Sequence, residues 1–305
     1  MSDGLFEQVL NFPDPDAQER YAGLVGLDAT KERLEKEAET MLRPDLLEKW
    51  SKDKHDHRIV ALDMLLHRPP LFIFAGDVGT GKTELALSFG DRLARATNID
   101  VELFSLSLRA RGTGLVGEMT TMISEAVRIF RTKCPKLPSG GKKASGAAIL
   151  LIDEADAIAQ SRELAQMHHE DRAGVNALIR GIDDIAKSKL AGLIIMCSNR
   201  VDAIDPAIRR RAAAVFEFER PNKELRTKLV GDKLAGSGLS EKDCAEIAEA
   251  MGEGKGRKHG YTCSDITQRF VPTLVLAAYP NHKITKALAL KIVEQVPPTP
   301  PFAAQ

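Results

Sequence analysis

The chain has little of what disulfide scaffolds, membrane spans and nucleic-acid binders are built from. Four cysteines occur in 305 residues, Cys134, Cys197, Cys244 and Cys263. They are widely scattered and form no CxxC pair, which argues against a disulfide framework or a zinc site and suits a reducing compartment. Net charge is absent too: 43 basic residues balance 43 acidic ones, and the isoelectric point is near 7.1. No global field therefore draws the chain toward nucleic acid or an anionic membrane surface. No apolar run approaches the roughly 18 residues needed to span a bilayer. Met1-Ser2-Asp3-Gly4 lacks the basic and apolar regions of a secretory signal. What is present, 43% hydrophobic residues, is enough for a full core. The composition points to one large domain or two ordinary ones, soluble and cytoplasmic, with no membrane partner.

The most informative stretch is Gly76-Asp77-Val78-Gly79-Thr80-Gly81-Lys82-Thr83. It fits G-x-x-x-x-G-K-[ST], with the apolar run Leu71-Phe72-Ile73-Phe74 before it and the helix-favouring Glu84-Leu85-Ala86-Leu87 after it. Glycines 76, 79 and 81 let the backbone turn tightly, so that several N–H groups face one anion at a helix N-terminus. Lys82 is placed to reach the β- and γ-phosphates, and the Thr83 hydroxyl to sit on Mg²⁺. The stretch predicts binding of a nucleoside triphosphate.

The rest of the chain supplies a frame for that loop. Residues 1–20 are polar and interrupted by Pro13 and Pro15, and read as a flexible arm. Strands are expected at Val101–Leu106, Ala147–Ile152, Leu193–Cys197 and Val215–Phe218, with helices between them. Glu118–Arg131 carries Met122, Ile123, Ala126, Val127 and Phe130 on one helical face. Ala147–Ile152 is apolar throughout, as a strand buried on both sides must be. Strands alternating with helices predict a parallel α/β sheet. Beyond Pro221 the strand signals stop. The expected division is a large α/β domain over 21–221, a small helical domain over 222–297 and a mobile tail over 298–305. His55 and His57 form an H-x-H pair with no evident third ligand, and read as a solvated loop.

Two carboxylates end the apolar strand at Asp153-Glu154. An acidic group at a strand's C-terminal edge beside a phosphate loop can hold Mg²⁺, and the next carboxylate can orient and deprotonate an attacking water. Asn199 ends the following strand, where it could meet the γ-phosphate or act only as a turn residue. Arg209-Arg210-Arg211 follows Asp205-Pro206-Ala207-Ile208. It reads either as an ordinary basic surface or as arginine fingers entering a neighbouring subunit's site.

The ordered set Leu24-Val25-Gly26, Gly76–Thr83, Ile149–Asp156, Ser198-Asn199-Arg200, Asp205–Arg211 and Gly260-Tyr261-Thr262-Cys263-Ser264-Asp265 closely resembles the AAA+ ATPases of the AAA clade, over about residues 20–297. The resemblance implies a P-loop NTPase fold with a five-stranded parallel sheet, a small C-terminal helical lid, and a homo-hexamer with ATP and Mg²⁺ between subunits. It assigns Lys82 and Thr83 to Walker A, Asp153 and Glu154 to Walker B, and Asn199 to sensor 1. Arg210 and Arg211 fall at the finger positions, Val25 and Gly26 at the adenine-contacting stretch, and Ser264 at the small sensor-2 position. Asp77-Val78 stands where Pro-Pro is usual, and Cys263 where glycine is usual. Gly114-Leu115-Val116-Gly117-Glu118 matches pore loop 1, with Leu115 at a position that is generally aromatic. Gln166–Asp171, including His168 and His169, matches pore loop 2.

Within the clade, Arg172–Ile179 and Arg209–Val215 resemble the pachytene checkpoint protein 2 and thyroid receptor-interacting protein 13 group with its bacterial members. That likeness implies a protein remodeller acting on HORMA-domain clients, in bacteria within antiviral signalling systems. Two other readings use the same motifs. One is a nucleic-acid-associated loader or switch, disfavoured by zero net charge and an apolar pore loop. The other is an ATP-gated activator of a metabolic enzyme.

Overall fold

A computed structural model of the chain describes residues 5–106, 118–138, 143–155, 169–200, 204–254 and 257–301. Two compact units emerge, one from Met1–Gly23, Ala29–Ala75 and Thr83–Glu217, the other from Leu24–Asp28, Gly76–Lys82 and Phe218–Gln305.

The larger unit is built on a six-stranded sheet of β1 (Phe6–Phe12), β2 (Leu71–Gly76), β3 (Val101–Leu106), β4 (Ala147–Ile152), β5 (Gly192–Ser198) and β6 (Ala214–Phe218). Spatial order is β1-β3-β4-β5-β2-β6; β3–β4, β4–β5 and β2–β5 pair in parallel. The long apolar runs of β2, β4 and β5 occupy the buried middle of the sheet, as parallel strands covered on both sides require. On one side, Leu71, Ile73, Leu150, Ile152, Ile194 and Met196 meet α6 (Glu118–Lys133) and α7 (His169–Lys187). Ile123 and Phe130 of α6 and Leu178, Ile182 and Ile185 of α7 form the other half of this layer, following the helical period read from the sequence. The two helices close in tightly at Gly181, where an added Cβ would lie 2.5 Å from Val127. On the opposite side, Phe72 and Phe74 set their rings edge-on to Phe216, beneath Arg33 of α2 (Asp28–Leu42).

The sixth strand corrects the expectation of five, and with it the expectation of an arm over residues 1–20. β1 pairs antiparallel with β3, and Phe6 packs its ring 5.3 Å from that of Phe104. Phe12 is buried so closely on Gly90 of α5 (Lys82–Thr97) that a Cβ there would come within 2.2 Å of its ring. The two prolines delimit elements instead of preventing them. Pro13 follows the strand, and Pro15 opens α1 (Pro15–Ala22) behind its N-cap Asp14. The unit also contains α3 (Pro44–His55), α4 (Ala61–Leu66) and the single turn α8 (Pro206–Arg209). His55 ends α3 and packs edge-on against Trp50.

The smaller unit is helical: α9 (Lys223–Lys233), α10 (Glu241–Ala250), a π-helical segment Asp265–Phe270, α11 (Val271–Ala278) and α12 (Lys286–Gln295). Asn222 caps α9 and a Ser240–Asp243 capping box opens α10. Its core gathers Val230, Ile247, Met251, Tyr261, Ile266, Phe270 and Ile292. The buried Tyr261 hydroxyl donates to Val293 O, 3.1 Å away, and to Val296 O. Within the tail expected over 298–305, Thr299 is tied to Asp265 through both its N–H and its hydroxyl. Among the described residues no helix is long and apolar enough to cross a membrane.

Candidate active site

The phosphate loop, Gly76–Lys82, lies in the helical unit and is shaped by its glycines. Gly79 has φ of +73°, and a Cβ there would meet Thr262 Oγ1 at 2.7 Å and Ser264 Cβ at 2.9 Å. Ser264 donates its N–H to Gly79 O at 3.0 Å, so Ser264 is fastened directly to the loop. Gly76, with φ of +148°, runs against Phe218 O, only 2.0 Å from where a Cβ would sit. Lys82 is buried and folds back over the loop, its Nζ donating to Gly76 O at 2.9 Å and Asp77 O at 2.7 Å. Thr80 donates its hydroxyl to Asp77 O at 2.8 Å. Val78 is exposed.

Asp77 is held from two sides: Oδ1 accepts from Val78 N at 2.8 Å and Oδ2 from Arg220 Nε at 2.6 Å. Val25 packs against the helical core, and Gly26, with φ of +79°, sits where a Cβ would strike Leu225 at 2.4 Å. Cys263 also packs against that core, and burial pushes its thiol up to about 11.

The larger unit brings its predicted residues to one edge of the sheet. Register pairs Ile152 with Met196 and Ala75 with Ser198, so β4, β5 and β2 end side by side. Asp153 and Glu154 leave β4 there, Asn199 leaves β5, and Thr83 stands in the first turn of α5. Asp153 Oδ1 accepts from Glu154 N at 2.9 Å. Glu154 has φ of +51°, a left-handed conformation that costs a non-glycine residue about 1 kcal/mol. Ser198 Oγ bridges the turn after β5, donating to Arg200 O and accepting from Arg200 N, both at 3.0 Å.

The arginine run divides. Arg211 is engaged within its own chain, forked onto Asp183 of α7 at 2.7 and 3.0 Å and donating to Ala207 O at 2.9 Å. Its guanidinium hydrogen-bonds Asp183 and holds that carboxyl below its usual range. Arg209 and Arg210 are exposed and pair with no carboxylate among the described residues. Leu115, Val116, Gly117 and His168 lie outside the described residues, and His169 is described only as the first backbone position of α7.

Three partners were not expected from the sequence: Asp183, Arg220 and Thr299. None of the three carries a local signal; Arg220 follows Glu219 in a charged pair before Pro221 that reads as an ordinary strand end.

Residues 72–220 match the ATPase family associated with various cellular activities (AAA). The chain belongs to the AAA ATPase family, whose members bind nucleotide and hydrolyse ATP, and it is an ATPase. Within the family it is similar over nearly its whole length to CD-NTase-associated protein 6 of Escherichia coli strain MS 115-1. Identity there is 50% over 300 residues, covering 98% of this chain and 96% of the relative. A chain of the solved E. coli MS115-1 HORMA:CdnC:Trip13 complex superposes with a TM-score of 0.91 at 49% identity, covering 99% of both chains. Rhizobiales Trip13 superposes with a TM-score of 0.76 at 40% identity, covering 97% of this chain and 100% of that one.

Proposed function

We propose that the protein is a Trip13-like remodeller that spends ATP to open a HORMA-domain client within a bacterial antiviral signalling system. The observation that carries this reading is the near-complete match to a chain solved together with a HORMA protein and CdnC. ATP occupies the loop Gly76–Thr83, with Val25 and Gly26 along the adenine and Ser264 behind Gly79. Lys82 supplies positive charge to the β- and γ-phosphates, and the loop's N–H groups cradle them.

Thr83 and Asp153 are the side chains that would hold Mg²⁺. A hydroxyl and a carboxylate make an incomplete oxygen shell, and the described residues contain no group of three or more His, Cys, Asp or Glu that could hold a metal alone. That donor set fits an ion completed by phosphate oxygens and water, which when bound neutralises charge on the triphosphate. Glu154 takes the proton of the attacking water, and Asn199 orients that water against the γ-phosphate. Arg210, exposed and unpaired among the described residues, is the finger that stabilises charge on the transferring group in a neighbouring subunit, and Arg211 braces the turn that carries it.

This arrangement requires an oligomer, a homo-hexamer, whose central pore presents Leu115, Val116 and Gly117 and then His168 and His169 to an extended client segment. A Glu154→Gln variant should bind ATP and client, hold its assembly and fail to turn over. Hydrolysis by that variant at the unmutated rate would sink the assignment of the base.

A further inference from the structure

Arg220 spends its guanidinium on acceptors from three separate segments of the helical unit. Nε donates to Asp77 Oδ2 at 2.6 Å, Nη1 to Gly260 O at 2.6 Å and Nη2 to Thr299 O at 2.8 Å. Both ion-pair partners are largely withdrawn from water, with side chains 16% and 19% exposed. Thr299 in turn donates its N–H to Asp265 Oδ2 at 3.0 Å and its hydroxyl to Asp265 Oδ1 at 2.6 Å. Asp265, 1% exposed, accepts from Thr262 N at 3.0 Å and returns its own N–H to Thr262 Oγ1. Thr262 and Ser264 are the residues that crowd Gly79, and Ser264 N closes the path on Gly79 O. The chain of bonds therefore starts on the phosphate loop at Asp77 and returns to it at Gly79.

We infer that Arg220 is a positioning residue of the nucleotide site, and that the C-terminal segment through Thr299 is a strap holding it in place. The inference rests on the reading of Gly76–Thr83 as the ATP loop, and two physical arguments support it. The loop carries Asp77-Val78 in place of the stiff Pro-Pro pair, so its backbone needs an external constraint, and the Asp77–Arg220 pair supplies one. A carboxylate in a phosphate loop also opposes the negative charge of its ligand. Arg220 compensates that charge at close range in a poorly solvated setting, where the interaction is weakly screened.

Arg220→Met removes the fork that holds Asp77 Oδ2 and the positive charge that faces it. It should raise KM for ATP, and Kd for a fluorescent ATP analogue, about tenfold, with kcat changed less than about twofold. Adding Asp77→Asn removes the repulsion and should bring both values back to within about threefold of the unmutated protein. A residue that merely supports the fold would show no such rescue. Thr299→Val keeps the carbonyl acceptor but loosens the strap, and should raise KM about threefold.

An unchanged KM in Arg220→Met, or a double variant at least as weak as the product of the two single changes, overturns the inference. Should Arg220→Met not fold, Arg220→Lys keeps the charge without the fork and should give a rise of about threefold; an unchanged KM in that variant overturns the inference equally. Lys82→Ala separates the underlying reading. If that variant binds the analogue as before, the loop is not the nucleotide site, whatever Arg220 does.

Discussion

Replacing Gly79 by alanine tests how tightly the phosphate loop is coupled to the Thr262–Ser264 turn. Two costs add at this position. A left-handed φ of +73° costs an alanine about 1–2 kcal/mol over glycine. The new methyl would also stand 2.7 Å from Thr262 Oγ1 and 2.9 Å from Ser264 Cβ. Thr262 is pinned by Asp265, and Ser264 by its N–H bond to Gly79 O, so neither can give way without breaking the path. Overpacking of this kind adds about 1–3 kcal/mol. A total near 3 kcal/mol, if spent on the nucleotide-competent form of the loop, is about a hundredfold in ATP affinity.

Gly236 supplies the control, because it has a similar φ of +80° but nothing within 4 Å of an added Cβ. Gly236→Ala should cost about 1 kcal/mol of stability and leave ATP binding alone. The assay is titration of a fluorescent ATP analogue, with thermal melting run beside it. Gly79→Ala binding the analogue within about threefold of the unmutated protein would refute the coupling.

Arg210→Ala should lower ATP turnover on the order of a thousandfold while leaving the melting temperature unchanged, as expected for a charge used only in a neighbour's transition state. Arg211→Ala should instead cost about 1 kcal/mol of stability, because it breaks a half-buried fork onto Asp183; calorimetry beside a coupled ATPase assay separates the two. Acid should loosen the strap. Burial pushes the Asp265 carboxyl up, but hydrogen bonds from Thr299 and Thr262 outweigh it and hold the carboxyl below its usual range. A depressed folded value contributes stability at neutral pH that is lost as pH falls through it, so melting temperature should fall as pH drops below about 4. Asp265→Asn, less stable at neutral pH, should show a shallower fall over the same range.

The placement of much of the candidate site was legible because it is local. The phosphate loop is continuous in sequence, and the strands that deliver Asp153 and Asn199 announce themselves as apolar runs ending in polar residues. What was not legible depends on contacts between distant segments. Asp77 and Arg220 are separated by 143 positions, so the substitution at Asp77 looks like a lone departure until its partner is seen beside it. Arg211 and Asp183 lie on different elements, and the run Arg209-Arg210-Arg211 gives no sign of which member is already engaged. β1 was missed for a different reason: Pro13 and Pro15 look like breakers of a polar arm, whereas one bounds a strand and the other starts a helix. Cys263 departs from the family's glycine without consequence for packing, because the site is apolar and takes the thiol into the helical core.

On the function proposed above, hydrolysis at Glu154 drives the opening of a HORMA-domain protein through Leu115 and Val116. The direct measurement is release of a bound partner from a HORMA-domain protein mixed with the purified chain and ATP. Release should require hydrolysis, stop in Glu154→Gln, and be lost in Leu115→Ala/Val116→Ala while ATP turnover continues. Release at the same rate without ATP, or with Glu154→Gln in place of the unmutated chain, would contradict it.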